Sequence, residues 1–276
     1  MKKYESAYAF RMALESHLRK YAQERNIDLV MVRRKVSFDR FLCRIVSMDE
    51  KPFILKGGYA LELRSNIARA TKDLDIAFPD SQVKSHEQIL NKLRESIEQD
   101  VGDWFTFIIT DLLQELHGPR HRGGRFLVES RLEDRTFSKF HLDIAYGDFI
   151  YRPTQEIQSE DWLGFVGIPA RTFPVVIREQ HFAEKIHAYT RNRNDRVNTR
   201  VKDLIDMVLL INSTPEMDLQ KVRDCLNSVF IHEAEHTIPM ALPLPPQNWG
   251  RAFQALASEC KLDVDIEKAF EMVSEY

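Results

Sequence analysis

Apolar residues recur at helical spacing through residues 4–25, where Tyr8, Phe10, Met12, Leu14, Leu18 and Tyr21 stand among many charges; this predicts an amphipathic helix. A second helix is expected over 28–47, with Val30, Val32, Phe38, Phe41, Leu42 and Ile45 on its buried side. The pattern then shortens. Phe53-Ile54-Leu55 reads as a brief strand ending at Gly57-Gly58, and a short helix with Tyr59, Leu61 and Leu63 follows. After a loop of small and basic residues comes a strand bearing Asp73-Leu74-Asp75-Ile76, stopped by Pro79. Residues 82–100 read as a surface helix. Strands are expected at 104–110, 125–130 and 140–145, with Gly123-Gly124 and the charged stretch 131–139 as the turns between them. Pro153 marks a loop, and Pro169 and Pro174 bracket one more extended piece at 171–177. From Glu179 the period is helical: 179–192, 199–212, 216–230, a Pro-rich break at 243–246, then 247–258 and 263–275.

The order is helical arm, mixed α/β sheet, helical bundle. Several strands follow one another without intervening helices, which favours an α/β (α+β) chain with a mixed or antiparallel sheet over a doubly wound one. The expected division is 1–178 for the helical arm and sheet and 179–276 for a C-terminal helical domain. With 276 residues the chain has room for one large domain or two modest ones. Its net charge of −3 neither requires nor excludes a nucleic-acid partner, because local patches decide that. Cys43, Cys225 and Cys260 form no zinc spacing and no disulfide framework, which suits a reducing compartment. No apolar signal core follows Met1-Lys2-Lys3, and no apolar run approaches the roughly 20 residues of a membrane helix. A cytoplasmic protein without membrane contact is expected.

The Asp-x-Asp pair carries the most chemistry. Residues i and i+2 of a strand share a face, so Asp73 and Asp75 emerge together, roughly 7 Å apart at their backbones. That spacing suits one divalent ion or a pair of ions. Asp143, between Leu142 and Ile144, is the best third acid, as metal ligand or general base; it could instead pair with an arginine or cap a turn near Gly147. Gly57-Gly58 joins a strand to a helix and can offer backbone N–H groups to a phosphate. Lys185 edges a helix burying Phe182, Ile186 and Tyr189; it either snorkels to solvent or meets a triphosphate. Asp203 and Asp206 open an otherwise apolar helix and need partners, Lys185 and Arg196 being candidates for a buried ion pair or a site. Basic clusters at Arg191, Arg193, Arg196, Arg200 and Lys202, and at Arg120, His121, Arg122 and Arg125, are solvated loops or hold RNA phosphates. His232 and His236 show no metal spacing backed by other ligands and read as a surface helix or loop.

Assembled, these residues resemble the AbiEii/AbiGii-type nucleotidyltransferase toxins, relatives of the MenT toxins among the polymerase-β-like nucleotidyltransferases. The resemblance runs from about residue 50 to about residue 212 and rests on Lys56-Gly57-Gly58-x-Ala60-Leu61, Thr71-Lys72-Asp73-Leu74-Asp75-Ile76, Leu142-Asp143-Ile144, Glu184-Lys185-x-x-Ala188 and Arg200-x-Lys202-Asp203-Leu204-x-Asp206. It implies a toxin of a toxin–antitoxin or phage-defence (abortive infection) pair. Such a toxin transfers nucleotides from a nucleoside triphosphate, in some members onto tRNA, and its antitoxin is encoded nearby. By position, Asp73 and Asp75 match the pair that holds Mg²⁺ (or Mn²⁺), Lys185 and Asp203 the later catalytic lysine and aspartate, and Asp143 a third acid used across the wider superfamily. Lys56, Gly57, Gly58, Thr71 and Lys72 fall in the donor-nucleotide cradle. Gly58 stands where the family commonly has serine, so a hydroxyl contact to phosphate is missing, and the spacer to Asp73 is long. The alternatives are a non-catalytic RNA- or protein-binding module that keeps the fold, or a transferase that modifies a protein partner.

Overall fold

Two capped helices open the chain. In α1 (Ala7–Arg25) the Ser6 hydroxyl accepts from the Ala9 amide at 3.2 Å, and Asn26 closes the helix in the left-handed region with φ 52°. Asp28 caps α2 (Leu29–Ile45) by accepting from the Val30 amide at 2.7 Å. The computed structural model describes residues 4–46, 53–65, 69–78, 86–117, 122–192 and 198–276. Pro79, Arg120, His121, Arg193 and Arg196 lie outside these.

The sheet comprises β1 (Ile54–Lys56), β2 (Asp73–Phe78), β3 (Phe105–Ile109), β4 (Gln114–His117), β5 (Arg122–Leu132), β6 (Arg135–Tyr146), β7 (Gln155–Gln158) and β8 (Thr172–Val175). Its order is β3-β5-β6-β2-β1-β8-β7, with β4 also paired to β5. Strands β2 and β6 run parallel, as do β1 and β8, and the remaining pairs are antiparallel. Helix α2 packs on β6, where Phe38 and Phe41 meet Phe140 edge-on at 4.9 and 5.8 Å between centroids. Helix α3 (Gly57–Arg64) leaves β1 without a loop, and α4 (His86–Ile97) packs against α2.

The helical half holds α5 (Arg178–Thr190), α6 (Val201–Ile211), α7 (Leu219–Glu233), α8 (Gly250–Glu259) and α9 (Ile266–Glu275). Buried apolar side chains from α1 through β8 form one cluster, most of those of α5–α9 form a second that also takes in Leu61 of α3, and Ala183, Cys225 and Val229 form a small third. Among the described residues no helix is long and apolar enough to cross a membrane.

Two expected turns are strand. Gly123 and Gly124 lie inside β5, opposite Ala145 and Ile144, and a Cβ on Gly124 would come within 2.6 Å of Leu112 Cδ1. Glycine there makes room for a side chain and does not bend the chain. The stretch 131–139 is mostly strand too, reversing at Glu133-Asp134 with φ 56° and 55°, as a two-residue hairpin requires. The short strands β4 and β7 had no counterpart in the sequence reading.

Candidate active site

Strand register builds a row of charges across four strands. Arg125 of β5 lies opposite Asp143 of β6, Asp143 opposite Asp75 of β2, and Asp75 opposite Lys56 of β1. In the next row His141 lies opposite Asp73. Register partners share a face, so Asp73, Asp75, His141 and Asp143 all stand on one side of the sheet, while Leu74, Ile76, Leu142 and Ile144 fill the core on the other.

Two acids side by side at the centre of this row repel. Burial, then Asp143, and also Asp73 push the Asp75 carboxyl up to about 6, against the opposing pull of Lys185 and Lys56. Asp143 is neutralised differently. Arg125 donates to both its oxygens, Nε to Oδ1 at 2.7 Å and a terminal nitrogen to Oδ2 at 2.6 Å, and also lies 3.8 Å from Asp73 Oδ2. This is the arginine pairing the sequence left open, and it occupies the acid on both sides. Asp73 Oδ1 is 3.0 Å from His141 Nδ1.

The glycine turn lies against these acids. Gly57 has φ 62°, and a Cβ on it would fall 2.0 Å from Asp75 Oδ2, so backbone conformation and the carboxylate both demand glycine. A Cβ on Gly58 would fall 2.6 Å from Thr71 Oγ1. The family's missing hydroxyl thus has a neighbour: Thr71 puts its own beside the place a serine would occupy. Thr71 is held tightly, its amide donating to Glu62 Oε1 at 2.6 Å and its carbonyl accepting from Arg34 at 3.0 Å. Lys72 is exposed.

Both lysines are fastened to acids. The Lys185 ammonium lies 2.8 Å from Asp203 Oδ1 and 2.8 Å from Asp206 Oδ2. Burial opposes its charge, but these carboxylates outweigh burial and raise its pKa. Arg69 grips Asp206 with two bonds of 2.9 and 2.8 Å. Burial works against the Asp206 charge as well, yet Lys185 and Arg69 bring its carboxyl down to about 2. Lys56 lies 2.5 Å from Asp148 Oδ2 and 3.1 Å from Glu184 Oε1, so its ammonium ties β1 to the segment after β6 and to α5. The fold thus gathers Asp73, Asp75 and Asp143 on one face, sets Gly57, Gly58 and Thr71 beside them, and brings Lys185 near enough to pull on Asp75.

Sequence reasoning had Arg125 only in a basic cluster and missed Arg69 and His141. A signal for Arg125 existed, because counting outward from a Glu133-Asp134 hairpin brings it to Asp143 once the bulge at Ser130/Arg131 is allowed. None existed for Arg69, whose partner lies in a distant helix.

The chain belongs to the AbiEii nucleotidyl transferase toxin family of type IV toxin–antitoxin systems, whose family model matches residues 40–274. It is accordingly a nucleotidyltransferase toxin, with a nucleotide substrate and an antitoxin partner implied by the family. Among solved structures it is similar to MenT4, a nucleotidyltransferase toxin from Mycobacterium tuberculosis H37Rv, at 17% identity and TM-score 0.58, covering 94% of this chain and 93% of that one. A weaker likeness is to JHP933 from Helicobacter pylori, at 15% identity and TM-score 0.46 over 88% of each chain. At 17% identity the likeness to MenT4 speaks for the fold alone. A search of the curated proteins finds no match.

Proposed function

We propose that this chain moves a nucleotide from a nucleoside triphosphate onto an RNA acceptor, tRNA being the expected class, with Asp73 and Asp75 holding Mg²⁺ or Mn²⁺. The observation that carries this reading is the charged row, in which Asp75 sits between a second acid and a glycine turn whose backbone its carboxylate touches. The donor set fits a hard divalent cation. It is oxygen-only, and burial, with the neighbouring acids Asp143 and Asp73 adding to it, keeps the Asp75 carboxyl up at about 6. Asp143 joins the set only when Arg125 releases it.

When bound, the cation supplies charge neutralisation at the triphosphate. The α3 end at Gly57-Gly58 receives phosphate oxygens on its free amides, and the Thr71 hydroxyl replaces the absent serine. Thr71 therefore weakens the motive for a non-catalytic module. Lys185, its charge secured by Asp203 and Asp206, faces the triphosphate as a fixed cation. The acceptor hydroxyl bonds to the α-phosphorus as pyrophosphate leaves. Its proton passes to Asp143 once Arg125 turns from that carboxylate to the phosphates.

The experiment is incubation of purified protein with each labelled nucleoside triphosphate and total RNA, with Mg²⁺, Mn²⁺ or a chelator. Label should enter the tRNA fraction only when divalent ion is present, and Asp75→Ala should abolish it without unfolding the chain. Protein that binds neither nucleotide nor divalent ion and labels nothing would remove the proposal; label in a co-expressed protein instead of RNA would change the acceptor.

A further inference from the structure

Beyond the charged row, three side chains of the helical half converge where α5 ends. His187 in the last turn of α5, and Glu235 and His236 just past α7, each bring one ligating atom, and these atoms all lie within 4.8 Å of one another. The two imidazole centroids are 4.6 Å apart with planes tilted by 31°, and His187 Nε2 is 4.0 Å from Glu235 Oε2. Sequence spacing drew attention to His232 with His236. Folding instead brings His187 to His236 from a different helix.

Proton accounting shows what this cluster lacks. Thr190 Oγ1 is 2.8 Å from the Ile186 carbonyl and 2.9 Å from His236 Nε2. A hydroxyl has one proton, and a carbonyl can only accept, so Thr190 donates to Ile186 and accepts from His236 Nε2–H. The bare nitrogen of His236 is therefore Nδ1, which is buried without a hydrogen-bond partner. Glu235 has a side chain only 9% exposed; Arg191 pairs with Oε1, and Oε2 is buried without a hydrogen-bond partner. An imidazole lone pair and a carboxylate oxygen thus face the same small space. Two acceptors cannot satisfy each other, so the space calls for a species that takes electron pairs.

We propose that His187, Glu235 and His236 form a Zn²⁺ site, separate from the carboxylate site at Asp73 and Asp75. Two imidazoles, which are borderline donors, with one carboxylate suit zinc, whereas Mg²⁺ prefers oxygen alone. The outer contacts are of the kind metal ligands carry: Thr190 fixes the tautomer of His236, and Arg191 orients Glu235. Tetrahedral bonds of 2.0–2.1 Å place ligand atoms about 3.4 Å apart, so the widest pair allowed by the 4.8 Å limit closes by roughly 1.4 Å. Glu235 and His236 also line a cavity of about 490 Å³, with Asn227, Phe230, Ala234 and Thr237, which has room for a water as a fourth ligand. A bound ion would pin the last turn of α5, two residues from Lys185, to the segment after α7.

The experiment is titration of the full chain, stripped with chelator, by Zn²⁺ against a chromophoric competitor, with Co²⁺ as a spectroscopic substitute and melting temperature as a second readout. One Zn²⁺ per chain, a tetrahedral Co²⁺ spectrum and a raised melting temperature are expected. Glu235→Gln and His236→Ala, each checked for folding by circular dichroism, should weaken zinc binding at least about tenfold, while His232→Ala and Asp75→Asn should leave it intact. Absence of stoichiometric zinc, or zinc binding that survives both ligand variants, overturns the site and leaves a water bridging the two acceptors.

Discussion

Replacing Asp75 by asparagine should make the protein more stable while ending its activity. The carboxyl titrates at about 6, against 3.8 for an unperturbed aspartate. The gap of 6 − 3.8, about 2 pH units at 1.36 kcal/mol each, gives a cost of about 3 kcal/mol for folding with Asp75 ionised. The sign follows from the direction. A carboxyl whose pKa is raised on folding favours the folded state fully below pH 3.8, where it is protonated folded and unfolded alike, and that advantage is gone above pH 6. Asparagine carries no charge at any pH. Asp75→Asn should therefore gain about 3 kcal/mol over the parent at pH 7.5, shrinking to about 1 kcal/mol at pH 4.5. For a chain of this size that is a rise in melting temperature of about 6–12 °C at the higher pH. The assay is urea unfolding in metal-free buffer at both pH values, repeated with Mg²⁺. Mg²⁺ should stabilise the parent and leave the variant unchanged. If Asp75→Asn is no more stable than the parent at pH 7.5, or gains as much at pH 4.5, Asp75 does not carry the strain assigned to it.

Other substitutions probe the surrounding contacts. Thr71→Val keeps the side chain's shape and loses its hydroxyl, so kcat/KM should fall about 10- to 100-fold, as for one hydrogen bond to a charged group; Thr71→Ser should retain most activity, and equal rates for the two would dismiss the hydroxyl. Arg125→Gln frees both oxygens of Asp143, so divalent-ion affinity measured by calorimetry should rise while nucleotide transfer falls. Asp103 is fully buried and takes bonds from Arg40 at 2.6 Å and from Arg44 at 3.0 and 2.7 Å. Asp103→Ala strands Arg44 and leaves Arg40 only Asp39 at 3.3 Å, and should cost about 3–5 kcal/mol in denaturant unfolding. Because the arginines hold the Asp103 carboxyl below its ordinary 3.8, its contribution is present above that pH and is lost as pH falls through the lower folded value.

Strands with strict alternation announced themselves. In β6, Asp143 between Leu142 and Ile144 revealed both the strand and the face of its acid. Helix α6, apolar nearly all round after Asp203, was equally legible as a buried helix. What stayed hidden depended on partners far along the chain. Strand β4 (Gln-Glu-Leu-His) and strand β7 (Gln-Glu-Ile-Gln) have little apolar character and exist because β5 and β8 offer them a ladder. Gly123-Gly124 was misread because a glycine pair looks the same whether it bends the chain or makes room for Leu112. The acids of the site were visible, and so was Lys185 as a partner for Asp203 and Asp206, but the arginines on those acids were not. Arg125, Arg69 and the acids that take up Lys56 are set by register and helix packing, which a single sequence does not display.

Residues 69 and 70, just before β2, are anchored from the far end of the chain. Arg69 is bound to Asp206, and the Ala70 amide donates to Glu259 Oε1 at 2.8 Å, one residue before the threonine that abuts Gly58. Leu61 of α3 meanwhile belongs to the apolar cluster of the C-terminal helices. A cut at residue 178 would therefore not release a working catalytic piece. The sheet would keep its acids, but Arg69, Ala70 and Leu61 beside the glycine turn would lose the partners that hold them, so the two halves must be made, and lost, together.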